Sequence, residues 1–242
     1  MMAARSSRRV PLVLCPGVLY DATLWAAQAR DLADIADVRI ADFTTQNTIR
    51  AMAESVALMA PPQFALAGLS MGGYVAQEVM RLAPERVLCL ALLDTSARAD
   101  DEGARVRRRD LIALAGRGRF RGVTPRMLPL LIHTDRLDDA PLTDAVTAMA
   151  ESVGRDAFLR QQEAVMARVD GREDLAAITC PTLILCGRDD QLTPADLHLE
   201  MAAAIPHADV VMFGGCGHLS PLERPGATTA ALRQWLAVGA GA

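Results

Sequence analysis

The sequence predicts an α/β protein: a mostly parallel central sheet with helices on both faces and a helical segment inserted between two of its strands. Three observations carry this. Short apolar runs alternate with amphipathic helical patterns, as βαβ units require. One long interval, residues 97–175, breaks the alternation with helix and loop patterns only. And 242 residues, 51% hydrophobic and 22% charged, suit one main hydrophobic core better than two independent domains.

In chain order, strands are expected at Val10–Cys15, Asp37–Phe43, Gln63–Leu69, Val87–Asp94, Thr182–Gly187 and Asp209–Phe213. Between them the spacing of apolar residues predicts helices at Thr23–Leu32, Ile49–Met59, Gly72–Leu82, Pro194–Ala204 and Pro225–Leu236. Pro194 and Pro225 suit a first helical turn, where a missing N–H costs little. The interval 97–175 is too long for an ordinary connection. Its best helix is Pro141–Val153, with Leu142, Val146, Met149 and Val153 at helical spacing. The expected organisation is therefore a core in two parts, 1–96 and 176–242, with a helical cap at 97–175. Residues 239–242 read as a frayed tail.

Composition removes several functions. All 25 basic residues are Arg, so lysine Schiff-base, P-loop and general-base chemistry is excluded. A net charge of −4 gives no global attraction to nucleic acid or to an anionic membrane. The five cysteines, at 15, 89, 180, 186 and 216, form no CxxC pair and suggest reduced thiols in the cytoplasm. Arg5, Arg8 and Arg9 before an apolar stretch imitate a signal peptide, but Pro11, Pro16 and Gly17 interrupt it. No apolar run approaches the roughly 18 residues of a membrane span.

The sharpest motif is Gly68-Leu69-Ser70-Met71-Gly72-Gly73, a G-x-S-x-G between an expected strand and an expected helix. A nucleophile on so tight a turn needs neighbours without side chains, which Gly68 and Gly72 supply. A serine hydroxyl is a poor nucleophile unaided and needs a base. Among four histidines, His133 falls in the inserted segment, His198 in a helix pattern and His207 at a turn. His218 follows the last strand in Gly214-Gly215-Cys216-Gly217-His218, where parallel sheets gather their sites. The imidazole needs a carboxylate partner, and Asp189, Asp190 and Asp94 all follow strands. After the first strand, Cys15-Pro16-Gly17-Val18-Leu19 can aim backbone donors at an oxyanion: the N–H of Met71 with that of Val18 or Leu19.

These pieces together make the chain resemble the α/β-hydrolase family, within it the small capped esterases and enol-lactonases, over essentially its whole length. The carrying segments are Leu14–Asp21, Gly68–Gly73, Cys180-Pro181-Thr182 into Gly187-Arg188-Asp189-Asp190-Gln191-Leu192-Thr193-Pro194, and Gly217-His218. The resemblance implies an α/β-hydrolase fold, a triad of Ser70, Asp190 and His218, and no cofactor. The acid falls on Asp190 as fourth residue of the family's G-x-x-D run, with Asp94 its rival. One departure is Pro16, which stands where many relatives have histidine.

The expected activity is cleavage of a small, partly apolar carboxylic ester or lactone through an acyl-enzyme. Met127, Leu128, Leu130, Leu131 and Ile132 are candidates to line its pocket, foremost Met127 and Leu131. Carbon–carbon bond hydrolysis or perhydrolysis by the same residues is the alternative, and a non-catalytic ligand-binding protein a third reading. Gly116–Gly122 has the wrong spacing for dinucleotide binding. The Arg-rich stretch 105–126 is offset within 97–175 by equal numbers of Arg and acids, fourteen each, so no nucleic-acid partner is expected. No cluster has metal-ligand spacing, and no metal is expected.

Overall fold

Six short apolar runs pair edge to edge into one parallel sheet: β1 (Val10–Cys15), β2 (Ala36–Ile40), β3 (Phe64–Leu69), β4 (Val87–Leu93), β5 (Thr182–Gly187) and β6 (Ala208–Phe213). The computed structural model describes residues 9–117, 120 and 122–239. Arg5, Arg8, Gly118, Arg119, Arg121 and residues 240–242, which figured in the motifs above, lie outside the described residues. Strand order is β2-β1-β3-β4-β5-β6. The chain therefore leaves β1 in one direction, returns, and builds the rest of the sheet on the other side. That reversal between β1 and β3 is a topological switch point, and its carboxyl end is where such sheets open a crevice.

Alternation along the strands explains the layers. Leu12, Leu14, Ala65, Ala67, Leu69, Cys89, Ala91 and Leu93 face one apolar cluster, and Val13, Cys15, Phe64, Leu66, Leu90 and Leu92 face the other. The first cluster is covered by the turn Ala22–Trp25 leading into α1 (Ala26–Asp31) and by the C-terminal helix (Pro225–Gly239). The second is covered by α2 (Ile49–Met59), α3 (Met71–Leu82) and the helix Ala195–Ala204.

Between β4 and β5 run α4 (Glu102–Ala115), α5 (Leu128–Leu131) and α6 (Ala140–Met166). Asp101 and Asp139 cap α4 and α6 through their side chains. The expected helix Pro141–Val153 is the first half of α6, which continues past a bend at Gly154, where φ is +77°. Leu142, Val146, Met149 and Phe158 join the first core cluster, so these helices share a core with the sheet. After β5 come α7 (Ala195–Ala204), the one-turn α8 (Ser220–Glu223) and α9 (Pro225–Gly239).

Other boundaries differ from the sequence expectation by up to three residues at several ends, and α9 runs on to the buried Gly239 rather than ending at Leu236 before a frayed tail. β2 ends at Ile40 rather than Phe43, because its pairing with its only neighbour, β1, ends at Leu14–Ile40. Pro194 is the N-cap of α7, with ψ 157°, rather than a first-turn residue. The short α8 carried no periodic signal. Among the described residues no helix is long and apolar enough to cross a membrane.

Candidate active site

Every strand from β3 to β6, and β1 beside them, delivers a residue of interest at its carboxyl end. Cys15 pairs with Gly68 and Leu69 with Leu93, so the loops after β1, β3 and β4 start side by side. Three non-glycine residues have positive φ among the described residues, Leu19 (64°), Ser70 (55°) and Asp94 (43°), and each follows one of these strands. Such conformations persist only where the surroundings force them, and they gather at functional sites.

Ser70 sits between β3 and α3 with φ 55° and ψ −117°. Its N–H donates to Leu93 O at 3.0 Å, and its carbonyl accepts from the Thr95 hydroxyl at 2.8 Å. A Cβ on Gly68 would lie 2.1 Å from Gly72 O, and one on Gly72 would lie 2.1 Å from Cys15 O. The glycines of the motif are thus required by backbone approaching backbone. The Met71 N–H belongs to the first turn of α3 and has no acceptor within the helix.

His218 Nδ1 lies 2.8 Å from Asp190 Oδ2, both side chains being almost wholly buried. Asp190 Oδ1 accepts the N–H groups of Leu192 (2.8 Å) and Thr193 (3.0 Å), and Oδ2 accepts the Thr193 hydroxyl at 2.6 Å. Burial pushes the Asp190 carboxyl up, but His218 and these donors outweigh it and hold it below the ordinary value. Burial likewise pushes His218 down, and Asp190 before all others carries it above the usual imidazole range. With Nδ1 donating to Asp190, Nε2 keeps its lone pair for a proton.

Asp94, the rival acid, is placed otherwise. Its Oδ1 accepts the Gly187 N–H at 2.9 Å, and its Oδ2 engages the Ser220 hydroxyl at 2.6 Å and N–H at 3.2 Å. It is fully buried, and burial first, then the charge of Asp190, pushes its carboxyl up to about 8. Asp94 therefore ties the ends of β4 and β5 to the segment after His218, while Asp190 is the carboxylate bonded to the imidazole.

The loop after β1 lies against the Ser70 turn: a Cβ on Gly17 would lie 3.1 Å from Ser70 Cβ. Of its two candidate donors, the Leu19 N–H is engaged, giving a 3.0 Å hydrogen bond to Gln161 Oε1 of α6. Gln161, itself buried, also donates through Nε2 to Phe43 O at 3.2 Å. Met127, Leu128, Leu131 and Ile132 pack in or against the cluster that holds Leu19, Tyr20 and Phe158, whereas Leu130 is exposed. Leu131 meets the site through its backbone, its carbonyl accepting the His218 N–H at 3.0 Å.

Sequence patterns assign no role to Thr193, Gln161, Glu223 or His198. The buried His198 accepts the Thr95 N–H on Nε2 at 2.9 Å, with Nδ1 3.3 Å from Pro194 O, and so links the acid-bearing loop to the serine turn. Glu223 accepts the N–H groups of Gly217 and Leu219. Only Thr193, three residues beyond Asp190, carried a local signal, an acidic residue whose side chain closes its own turn. No group of three or more His, Cys, Asp or Glu among the described residues is placed to hold a metal.

A parallel sheet with this strand order, a strained serine turn after β3 and an imidazole–carboxylate pair on the loops after β5 and β6, all at the carboxyl edge, are the features of the α/β-hydrolase class. The alpha/beta hydrolase family profile matches residues 2–232, and the chain belongs to that family. Among solved structures, it is similar to a thermophilic esterase from Thermogutta terrifontis, with a TM-score of 0.86, 30% identity, and 95% of this chain and 90% of that one covered. It is 34% identical over 152 residues to a protein named "Putative carbamate hydrolase RutD" from Azorhizobium caulinodans, covering 60% of this chain and 55% of that protein. It is 28% identical over 200 residues to the pimeloyl-[acyl-carrier protein] methyl ester esterase of Photobacterium profundum, covering 74% and 72%. The chain thus spans little more than half the length of the first of these curated relatives.

Proposed function

We propose that the protein is a serine hydrolase acting on a small, partly apolar carboxylic ester or lactone. The observation that carries the reading is the buried His218–Asp190 pair, 2.8 Å apart, at the carboxyl edge of the sheet that also bears the strained Ser70 turn. In this reading Ser70 Oγ attacks the carbonyl carbon while His218 Nε2 takes its proton. Asp190 holds the tautomer and stabilises the imidazolium. The oxyanion is met by the N–H of Met71 and that of Val18, since the Leu19 N–H is engaged by Gln161. His218 returns the proton to the leaving alcohol, and water then repeats the sequence on the acyl-enzyme.

The relatives support the bond class. An esterase, a methyl ester esterase and a protein named for carbamate hydrolysis have in common, by those names, a carbonyl carbon bonded to oxygen. Met127 and Leu131 are the proposed apolar contacts of the acyl group, and no cofactor is needed for the steps above. A fluorophosphonate should label Ser70, and Ser70→Ala should abolish both labelling and p-nitrophenyl acetate turnover. Undiminished hydrolysis by that variant would discard the mechanism.

A further inference from the structure

Besides Asp190, bonded to the imidazole, and Asp94, bonded to Gly187 and Ser220, a third buried carboxylate lies near His218. Glu223 lies on α8, five residues beyond His218, and is 2% exposed. Taking a carboxylate out of water demands donors in water's place. Glu223 has them in an unusual distribution. Its Oε1 accepts the Gly217 N–H at 2.9 Å and the Leu219 N–H at 3.2 Å, with the Cys216 thiol 3.9 Å away. Its Oε2 accepts the His133 N–H at 2.7 Å.

Gly217 and Leu219 flank His218, so one carboxylate oxygen fixes the backbone on both sides of the imidazole. The other oxygen fixes the inserted segment where it touches the same loop. A Cβ on Gly217 would lie 2.8 Å from the Ile132 carbonyl carbon and 2.9 Å from His133 N, so the two backbones are in direct contact there. Two more bonds close the junction: the His218 N–H donates to Leu131 O at 3.0 Å, and Arg136 donates to Glu223 O at 2.7 Å.

We propose that Glu223 is a positioning residue for His218, its carboxylate holding the two peptide groups that flank the imidazole and the 132–133 segment laid against them. This rests on the reading of His218 as general base. Its charge acts in the same direction as its geometry. Facing His218 are Asp190, bonded to Nδ1, then Asp94 and Glu223, with the buried Tyr20 and His198 nearby. Burial opposes the imidazolium, and the three carboxylates, Asp190 foremost, favour it.

The test uses the full chain with Glu223→Gln and Glu223→Asp. Glutamine keeps the shape but removes the charge and turns an N–H₂ group toward the His133 N–H. Aspartate keeps the charge but is too short to hold all three N–H groups at once. On p-nitrophenyl acetate, kcat should fall about 10- to 100-fold in both with KM changed less than about twofold, as expected for a misplaced base. The His218 imidazole, followed by 15N NMR, should titrate about half to one pH unit lower in Glu223→Gln and unchanged in Glu223→Asp.

Wild-type kcat and titration in both variants would overturn the proposal, as would a change in KM alone. Failure of both variants to unfold cooperatively would make Glu223 a folding residue and overturn it as well. A wild-type protein without turnover or fluorophosphonate labelling would count against the hydrolase reading itself, and the imidazole titration would still decide for or against Glu223.

Discussion

Asp94 and Asp190 are both buried beside the same imidazole, and their different donors pull their acidities apart. Asp190 is met by His218, the Thr193 hydroxyl and two peptide N–H groups, which favour the charged form. Asp94, pushed up by burial and by the charge of Asp190, is bonded instead to the Ser220 hydroxyl and the Gly187 N–H. An asparagine at 94 can still donate to Ser220 and accept from Gly187. Asp94→Asn is therefore expected to keep turnover within about tenfold, whereas Asp190→Asn, which forces the wrong tautomer on His218, should lose about 10⁴-fold. Steady-state kinetics of the two variants check this, and equal losses would refute the assignment. The acid limb of kcat/KM should lie above the usual imidazole range, because His218 is raised and must be neutral to act as base. A pH–rate profile inflecting below pH 6.5 would contradict that direction.

At the scale of elements, the loops after β3 and β4 are held by side chains of other elements. His198 on α7 accepts the Thr95 N–H, and Thr95 in turn donates to the Ser70 carbonyl. Burial pushes His198 down to about 4, so the folded protein holds it neutral. The unfolded chain, titrating near 6.5, binds the proton first, and this contribution is present above pH 6.5 and lost as pH falls toward 4. The shift corresponds to about 3 kcal/mol. Denaturant unfolding at pH 7 and pH 4.5 should show the wild type losing about 2 kcal/mol or more beyond a His198→Gln variant. Parallel losses would show that His198 does not titrate this way. The strands and the serine turn were legible because their signals are local: alternation, and glycines two residues either side of Ser70. The end of β2 was read three residues late because it is set by where pairing with β1 stops, which its own side chains do not encode.

At the scale of the molecule, a buried charge cluster joins the segments between β4 and β5 to one another, and one of its guanidinium groups reaches α3 of the sheet layer. Asp100 receives Arg168 at 2.7 Å and Arg108 at 2.6 Å, and the Arg168 guanidinium lies 4.2 Å from the Tyr74 ring centre on α3. Removing one partner of a buried pair leaves the other charged and unsolvated, at a cost of about 3–5 kcal/mol. Asp100→Ala should lower stability by about 3 kcal/mol in urea unfolding, Arg108 being partly solvated and counting for less. A loss under about 1 kcal/mol would show that the apolar contacts of α6, not this cluster, hold these segments together.

Local sequence patterns were enough for the parallel α/β plan and the glycine-flanked serine turn. Each of these follows from residues near one another in the chain. Only the tertiary structure decided that Asp190 rather than Asp94 is bonded to His218, that the Leu19 N–H is engaged by Gln161, and that Glu223 braces the histidine loop against the inserted segment. Those relations join residues 28, 142 and 90 positions apart. Hydrogen bonding of buried groups is settled by which donors and acceptors the fold brings within about 3 Å, a quantity that no local pattern carries.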